Sequence, residues 1–474
     1  MLQNWFILLP EICLVSFLVV AWLTELLREE KTAKTFYSIA QFFLLASLSS
    51  TILFYNKSAF PYLWQNSSFT TLFKTFVYLL AWAWFYLSSK WFLNKNRPSL
   101  KFYSICFGLL FSFSILASSS SIITLALIIP IICYLHYLLI LRHWDIERVR
   151  VTASTYAWCS TLFCILLFVG VSIIYFQTES FEYLKIKQYL LMNKTYTFQF
   201  LLGILFILSC FMFLMAIVPF HHWFVAFVSN GVLPVCGFIT LVPPLIYLCA
   251  FINLISKCLA PLSNFIVPLI SIFATLSIII GALSSNRETN IRRLFGYLSI
   301  YCLSFAIIGL QNFSDKSIIA SFAYITIAIL SLTGVYTVFL SLKSRGDYLS
   351  EVNSISGFYT MRPYMSAALL VFMFSLIGLA PTLGFFGYLS VINNLVSSNE
   401  WFRVTLLLGS LLFVAGACLQ IVRIIYFESP TTKFDRSDKS IYICLFINVL
   451  FILISLINPA WLLHDALVIL GGIS

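Results

Sequence analysis

The chain has 474 residues, of which 61% are hydrophobic and 9% are charged, and its formal net charge is +11. This composition excludes a soluble domain and is typical of a chain embedded in a membrane along its whole length. The basic residues lie in short loops, so their excess does not indicate nucleic-acid binding. Twelve cysteines occur without a CxxC pair or a Cys/His ligand spacing, and we interpret them as small apolar residues rather than disulfides or metal ligands.

Apolar runs of about 20 residues predict helices that span a membrane, and fourteen occur along the chain. The predicted spans lie at 5–27, 36–54, 70–92, 102–118, 120–141, 153–176, 197–220, 232–255, 262–284, 293–310, 317–342, 364–397, 402–427 and 440–470. The first run is too long for a signal peptide and has no cleavage site, so we expect no removable targeting peptide. The longest linkers are predicted to be loops, at 55–69, 177–196 and 343–363.

The distribution of Lys and Arg between successive loops supports this count. Nineteen of these residues lie in odd-numbered loops and seven in even-numbered loops. A wrong count in the middle of the chain would scramble this alternation. The sequence therefore predicts an all-α polytopic membrane protein of about 14 transmembrane helices, with both termini on the outer side.

Prolines interrupt three of the predicted spans. Pro219 lies in the seventh span, Pro381 in the twelfth and Pro459 in the fourteenth. Spans seven and twelve are five helices apart and therefore have opposite orientations. Interrupted helices at matching positions indicate inverted repeats around a transport site, whereas chance kinks are the alternative, because spanning helices tolerate proline.

We predict two inverted five-helix repeats, spans 4–8 and 9–13, with helices 7 and 12 broken. The predicted organisation is a single membrane domain over 1–474. Its parts are an N-terminal three-helix segment at 1–100, a first repeat at 101–256, a second, inverted repeat at 261–428 and a C-terminal helix at 438–474.

Two adjacent histidines stand at the end of the seventh span, in the segment Val218-Pro-Phe-His-His-Trp223. His221 and His222 follow Pro219 at membrane depth, where titratable groups usually mark a path for ions or protons. The alternative is a helix that ends at the interface, with both histidines among lipid head groups.

Five stretches in order along the chain form a combined pattern. They are Leu8-Leu-Pro-Glu-Ile-Cys-Leu14, Val218-Pro-Phe-His-His-Trp223 followed by Pro234-Val235, Asn290-Ile-Arg-Arg-Leu-Phe-Gly-Tyr-Leu-Ser-Ile300, Ser375-Leu-Ile-Gly-Leu-Ala-Pro-Thr-Leu-Gly-Phe-Phe-Gly387 and Arg423-Ile-Ile-Tyr-Phe427. This pattern resembles the antiporter-like subunits of respiratory complex I, the proton-pumping NADH:ubiquinone oxidoreductase. The Leu-Pro-Glu start favours subunit 2, the N subunit of bacteria, over the related subunits 4 and 5.

The resemblance implies a membrane-arm subunit of this enzyme with no active site and no redox cofactor of its own. NADH, FMN, iron–sulfur clusters and ubiquinone would act elsewhere in the complex. The expected partners are other membrane-arm subunits, accessory subunits and membrane lipids, with no nucleic acid. The extreme hydrophobicity suits an organelle-encoded protein of the mitochondrial inner membrane, and the bacterial plasma membrane is the alternative.

The family's charged groups are missing from this chain. The resemblance implies a glutamate in span five and lysines in spans seven, eight and twelve. The matching positions hold Ile128, Leu214, Pro244 and Tyr388. The absence does not depend on the alignment, because no Asp or Glu occurs between residues 30 and 145, and no Lys or Arg occurs between 194 and 257 or between 362 and 403.

A short set of groups remains as a candidate residual proton path: His136, His221, His222, Tyr388 and Arg423. Each has a structural interpretation as well. We expect His136 to be a hydrogen-bonded core histidine and Arg423 to extend to the inner interface. Outside this set, Glu11 is expected to cap the first helix or to bond a neighbouring subunit, and Lys74 to extend to the membrane surface.

Three functions follow from these observations. The first is a core subunit of complex I whose own proton channel is degraded, and the second is a subunit that still translocates protons through histidines, tyrosines and water. The third is a stand-alone ion or solute transporter of a non-respiratory membrane. Four glycosylation sequons, all in loops assigned to the outer side, motivate the third: they begin at Asn56, Asn66, Asn193 and Asn312.

Overall fold

A computed structural model describes most of the chain, and nearly all of the described residues are helical. The described segments are 7–26, 33–53, 64–94, 99–141, 147–192, 197–310, 313–344, 347–430, 434–435 and 439–454. Contacts divide the chain into two compact units. The first comprises described residues up to 215 together with 242–264, and the second comprises 216–241 and the described residues from 265 onward.

The helices follow the predicted spans closely. Those of the first part of the chain are α1 (Leu9–Leu26), α2 (Ala33–Leu53), α3 (Ser68–Asn94), α4 (Ser99–Ala117), α5 (Ile122–Leu141), α6 (Glu147–Thr178), α7 (Tyr183–Met192), α8 (Phe198–Leu214), α9 (His222–Asn230), α10 (Leu233–Leu241) and α11 (Pro243–Leu254). After a short π-helical turn (Ile255–Leu259) and a 3₁₀ turn (Ala260–Leu262) come α12 (Ser263–Arg287), α13 (Ile291–Gly309) and α14 (Asp315–Ser341).

The last part of the chain begins with a small hairpin. Strand β1 (Lys343–Ser344) pairs antiparallel with β2 (Asp347–Tyr348). A 3₁₀ turn (Val352–Ile355) then leads to α15 (Phe358–Met361), α16 (Pro363–Ile377), α17 (Leu383–Ser397), α18 (Trp401–Phe427) and α19 (Lys439–Ile454).

The structure confirms the all-α polytopic class. Within the described segments, seven helical stretches are long and apolar enough to cross a membrane, and six shorter apolar helices accompany them. The total of fourteen spans stays a prediction, and so do the domain boundaries. In the second unit, α13 and α14 are the central helices, because 83% and 89% of the residues in their most apolar 18-residue stretches are buried.

Both predicted helix breaks are present. The chain leaves helical geometry between α8 and α9 and again between α16 and α17, and each gap holds one cis X-Pro bond, at Pro219 and at Pro381. The first break is anchored within the second unit, where the Val218 N–H donates to the Ser277 hydroxyl at 2.9 Å. Pro130 and Pro268, by contrast, lie inside α5 and α12 without ending them, and Pro459 lies outside the described residues.

Two of the three predicted loops contain secondary structure, so these predictions were wrong. The stretch 177–196 includes α7, which is too short to span a membrane but buries Tyr183, Ile186 and Leu190 at helical spacing. The stretch 343–363 includes the β1–β2 hairpin and two short helical turns. Of the stretch 55–69, only 64–69 is described. Trp64 forms an isolated β-bridge with Ser119, four residues before α3 begins at Ser68.

Gly384, in the first turn of α17, is a point of close approach. A Cβ atom there would collide with the backbone carbonyl of Ser375 on α16, which cannot move aside as a side-chain end can. We expect Gly384→Ala to lower the free energy of unfolding by about 1–3 kcal/mol. Gly409→Ala is the matched control, because a Cβ at Gly409 meets no atom within 4 Å. Thermal unfolding of the purified protein measures both, and equal melting temperatures would contradict the close packing of this break.

Candidate functional site

A buried ion pair joins two helices of the first unit. The Lys74 ammonium on α3 lies 2.8 Å from Oε1 of Glu11 on α1, and the two side chains are 1% and 7% exposed. Both residues lie in the first two turns of their helices. A charged group costs several kcal/mol to bury unless it is paired and hydrogen-bonded, so the surrounding groups decide whether this pair is stable.

Polar side chains surround the pair. Asn66 Oδ1 accepts hydrogen bonds from the Lys74 ammonium at 2.8 Å and from the Ser118 hydroxyl at 2.9 Å. The Ser114 hydroxyl donates to Glu11 Oε1. The Lys74 ammonium also lies 4.7 Å from the centre of the Trp64 ring, within the range of a cation–π contact. The N-terminal ends of α1 and α3 and the C-terminal end of α4 therefore meet in one polar cluster.

This cluster corrects two expectations about its charged residues. Lys74 does not extend to the surface, because Glu11 and Asn66 satisfy its charge inside the protein. Glu11 Oε1 is bonded by Lys74 and Ser114 of its own chain, rather than by the first helix or a neighbouring subunit. The sequence did contain a signal for the pair: an acid and a base, each near the outer end of an apolar span.

The cluster also bears on glycosylation. Asn66 is buried, and its side-chain oxygen is bonded by Lys74 and Ser118. Attachment of a glycan requires an exposed amide, so this sequon is not accessible in the folded protein. The other three sequons begin at residues outside the described segments.

His136 lies on α5 in the first unit and is fully enclosed. Its side chain is 2% exposed, and its ring centre lies 6.2 Å from that of Phe113 and 6.5 Å from that of Tyr156. The predicted core position is confirmed. The predicted hydrogen bond is not found, since neither ring nitrogen has a partner in the part of the chain that the structure describes.

Three of the positions at which the resemblance predicts a missing family charge also lie in the first unit. Ile128 is half-buried on α5, Leu214 is buried at the end of α8, and Pro244 is buried in the first turn of α11. Aromatic rings pack close to this region, with Phe213 4.7 Å from Phe163 between ring centres. None of these positions offers a titratable side chain.

The histidine pair lies at the first helix break, in the second unit. The rings of His221 and His222 are 4.3 Å apart between centres. His221 is buried, whereas His222 is exposed and lines a cavity of about 260 Å³ together with Arg293, Tyr297 and other residues of α9 and α13. The cavity therefore has both basic and hydroxyl side chains on its wall.

Tyr388 is buried on α17, the helix that follows the second break. Its hydroxyl donates to the Leu376 carbonyl oxygen at 2.8 Å, and its ring lies 4.8 Å from Phe305 and 5.0 Å from Tyr324 between centres. The adjoining cavity, bounded also by Ser375, measures about 10 Å³, which is about the minimum for one water molecule. The surroundings of Tyr388 are therefore tightly packed.

Arg423 lies on the exposed face of α18. Its side chain is 69% exposed and pairs with Glu428 at 3.4 Å. Of the five candidate path residues, the structure brings His221 and His222 together, whereas Arg423 faces outward. The path itself stays a prediction. Within the described segments, no three His, Cys, Asp or Glu side chains are grouped as a metal site would require.

Comparison with known proteins identifies the family to which this architecture belongs. The family model for the transmembrane part of NADH:quinone oxidoreductases and Mrp antiporters matches residues 119–413, more than half of the chain. The chain belongs to the NADH:quinone oxidoreductase/Mrp antiporter family. The family match confirms the resemblance drawn from the five sequence stretches, and it covers both broken helices.

Individual members of the family extend the match over nearly the whole chain. NADH-quinone oxidoreductase subunit N of Rhodospirillum rubrum is 25% identical over 80% of this chain and 77% of its own length. The subunit N of Thioalkalivibrio sulfidiphilus is 24% identical over 97% of this chain and 96% of its own.

Solved structures share the fold at lower identity. A chain of respiratory complex I from Thermus thermophilus superposes with a TM-score of 0.81 at 18% identity and covers 96% of this chain and 98% of its own length. A chain of the Mrp complex from a Dietzia species gives a TM-score of 0.85 at 12% identity, with 100% and 98% coverage. These likenesses establish the family's fold in this chain.

Replacing Lys74 tests the buried pair. We expect Lys74→Met to lower the free energy of unfolding by about 3–5 kcal/mol, because the Glu11 charge is left buried without its cation. The double variant Glu11→Gln/Lys74→Met should lose less, since it leaves no charge uncompensated. Lys185→Met is the control: this exposed lysine pairs with Glu182 at 3.0 Å, and its loss should cost less than about 1 kcal/mol. Denaturant unfolding measures all three, and a double variant as unstable as Lys74→Met would contradict the pair.

Proposed function

We propose that this protein is the subunit 2 (N) type core subunit of the membrane arm of respiratory complex I. The family membership supports this assignment, and so do relatives named subunit N that match over most of their length. In this role the chain has no active site and binds no redox cofactor. It contributes to NADH:ubiquinone oxidoreductase activity as part of the assembled complex, with other membrane-arm and accessory subunits as its partners.

We further propose that the chain's own proton channel is inactive. The observation that supports this proposal is the burial of Leu214, Pro244 and Tyr388 at the positions where the resemblance predicts the family's charged groups. Protons move between titratable groups or waters that lie within hydrogen-bonding reach. A leucine or a proline offers no such group, and the Tyr388 hydroxyl is already engaged with a backbone carbonyl.

A second candidate function, translocation through the histidine pair, is favoured by one observation. His222 lines a 260 Å³ cavity with Arg293 and Tyr297, and this space is large enough for several water molecules. His221 lies beside it at the helix break. The pair could hold a proton at this end of the second unit.

The proposed location follows from the proposed complex. The high hydrophobicity of the chain supports the mitochondrial inner membrane as its home. The bacterial relatives support the bacterial plasma membrane as the alternative.

The proton-to-electron ratio of the assembled complex decides between the two candidates. We expect His221→Leu/His222→Leu to leave this ratio unchanged, because an inactive channel has nothing to lose. Phe220→Leu is the matched control, since it alters the same break without removing a titratable group. Proton uptake and NADH oxidation are measured together in vesicles that contain each variant complex.

Because the proton-to-electron ratio is normalised to electron flow, a variant that only slows NADH oxidation does not change it. A ratio that falls in the histidine variant but not in Phe220→Leu would contradict the inactive channel and support the second candidate. A chain that does not assemble with complex I subunits would contradict the assignment as a whole.

A further inference from the structure

The small cavity beside the second helix break is bounded by three side chains that carry hydroxyl groups. Tyr324 of α14, Ser375 of α16 and Tyr388 of α17 all line it, and all three are buried. Its volume of about 10 Å³ is close to the space that one water molecule needs. The volume therefore excludes any ligand larger than a single water molecule or a bare ion.

The hydrogen bonds of the serine pair leave one acceptor unused. The Ser331 hydroxyl donates to the Ile327 carbonyl oxygen at 3.0 Å, because a carbonyl oxygen can only accept. The hydroxyl oxygens of Ser331 and Ser375 lie 2.7 Å apart, so Ser375 is the donor of that bond and Ser331 is its acceptor. A hydroxyl has one proton and two lone pairs. The Ser375 oxygen can therefore accept a further hydrogen bond but cannot donate one.

The two tyrosines of the cavity wall have complementary needs. The Tyr388 hydroxyl donates its proton to the Leu376 carbonyl oxygen at 2.8 Å, so its oxygen can only accept a further bond. The Tyr324 hydroxyl is buried and has no hydrogen-bond partner among the described residues, and such a group is destabilising. The two rings pack edge to face with their centres 5.0 Å apart. The cavity wall thus carries one unused donor and two unused acceptors.

We propose that this cavity is a binding site for one ordered water molecule, which joins α14, α16 and α17. The water accepts a hydrogen bond from the Tyr324 hydroxyl and donates its two protons to the oxygens of Ser375 and Tyr388. Three hydrogen bonds are the number that a buried water typically makes. A bare cation has no lone pair to offer, so it would leave the Tyr324 proton without an acceptor.

The water links the two half-helices of the second break to a central helix of the second unit. Helix α16 ends at Ile377 and α17 begins at Leu383, and the Tyr388–Leu376 bond is a direct connection between them. The water extends this connection to Tyr324 on α14. The proposal is independent of whether the subunit translocates protons, because it rests only on the cavity and its hydrogen-bond donors and acceptors.

A density map of the intact complex that resolves ordered waters tests the site directly. We expect a water peak within hydrogen-bonding distance of the Tyr324 hydroxyl oxygen. Tyr324→Phe should lose this peak, because it removes the hydrogen bond that the water accepts. Tyr301→Phe is the matched control and should keep the peak. Tyr301 is a buried tyrosine of α13 whose hydroxyl pairs with Ser410 at 3.4 Å, and it does not line the cavity.

The stability of Tyr324→Phe gives a second readout, because its sign depends on the water. With water bound, the variant loses a satisfied hydrogen bond, and we expect its unfolding equilibrium constant to rise about fivefold. Without water, the variant removes an unsatisfied buried hydroxyl, which should leave the constant unchanged or lower it. Denaturant unfolding of the full chain measures the constant. Tyr301→Phe, which loses a direct hydrogen bond, calibrates the size of the effect.

Any of three results would overturn the proposal. The first is a parent map that shows other buried waters but no peak in this cavity. The second is a map in which the hydroxyl oxygens of Tyr324 and Tyr388 are directly hydrogen-bonded to each other. The third is a Tyr324→Phe variant that unfolds no more easily than the parent. None of these results alters the proton-to-electron ratio of the parent complex, so failure of the water site is distinguishable from failure of the proposed function.

Discussion

Inside a membrane, a polar group that leaves regular helical hydrogen bonding must find its partner within the protein, and much of this structure depends on that constraint. At the first helix break, the Val218 N–H donates to Ser277. The last carbonyl of α4, at Ala117, accepts from the Asn253 side chain at 2.7 Å. In the second unit, the Asn394 side chain donates to Gly309, the last residue of α13, at 2.9 Å. Side-chain amides and hydroxyls thus replace the water that would solvate helix ends in a soluble protein.

The same constraint explains where charge survives. Lys74 and Glu11 are buried, yet they are paired, and Asn66 and Ser114 supply further hydrogen bonds. A charge at the position of Leu214 would need comparable partners, but aromatic rings fill the neighbourhood of that helix end. A buried charge and the groups that solvate it form one unit, because either alone is destabilising. A buried position that lacks the charge therefore has no need of the polar partners.

Sequence reasoning succeeded where the signal is local. Apolar run length located the helices, and Pro219 and Pro381 located the two breaks, since each effect acts within a few residues. It failed for α7, because a search for runs of about 20 residues overlooks a short amphipathic helix. It also failed for Lys74, whose partner is 63 residues away in the chain. Helix packing brings the two residues together, and their separation along the chain does not predict the contact.

The helix breaks are present in a chain whose buried positions Leu214, Pro244 and Tyr388 carry no Lys or Glu, and this separates the fold from any transport chemistry. At the second break, Gly378 adopts a left-handed conformation with φ of 76° and ends α16, which favours glycine. Gly384 allows α17 to start against the Ser375 backbone. These determinants are steric and conformational, and none is titratable. The broken-helix scaffold therefore does not depend on a titratable group, as long as its glycines, prolines and hydrogen-bond partners at the helix ends remain.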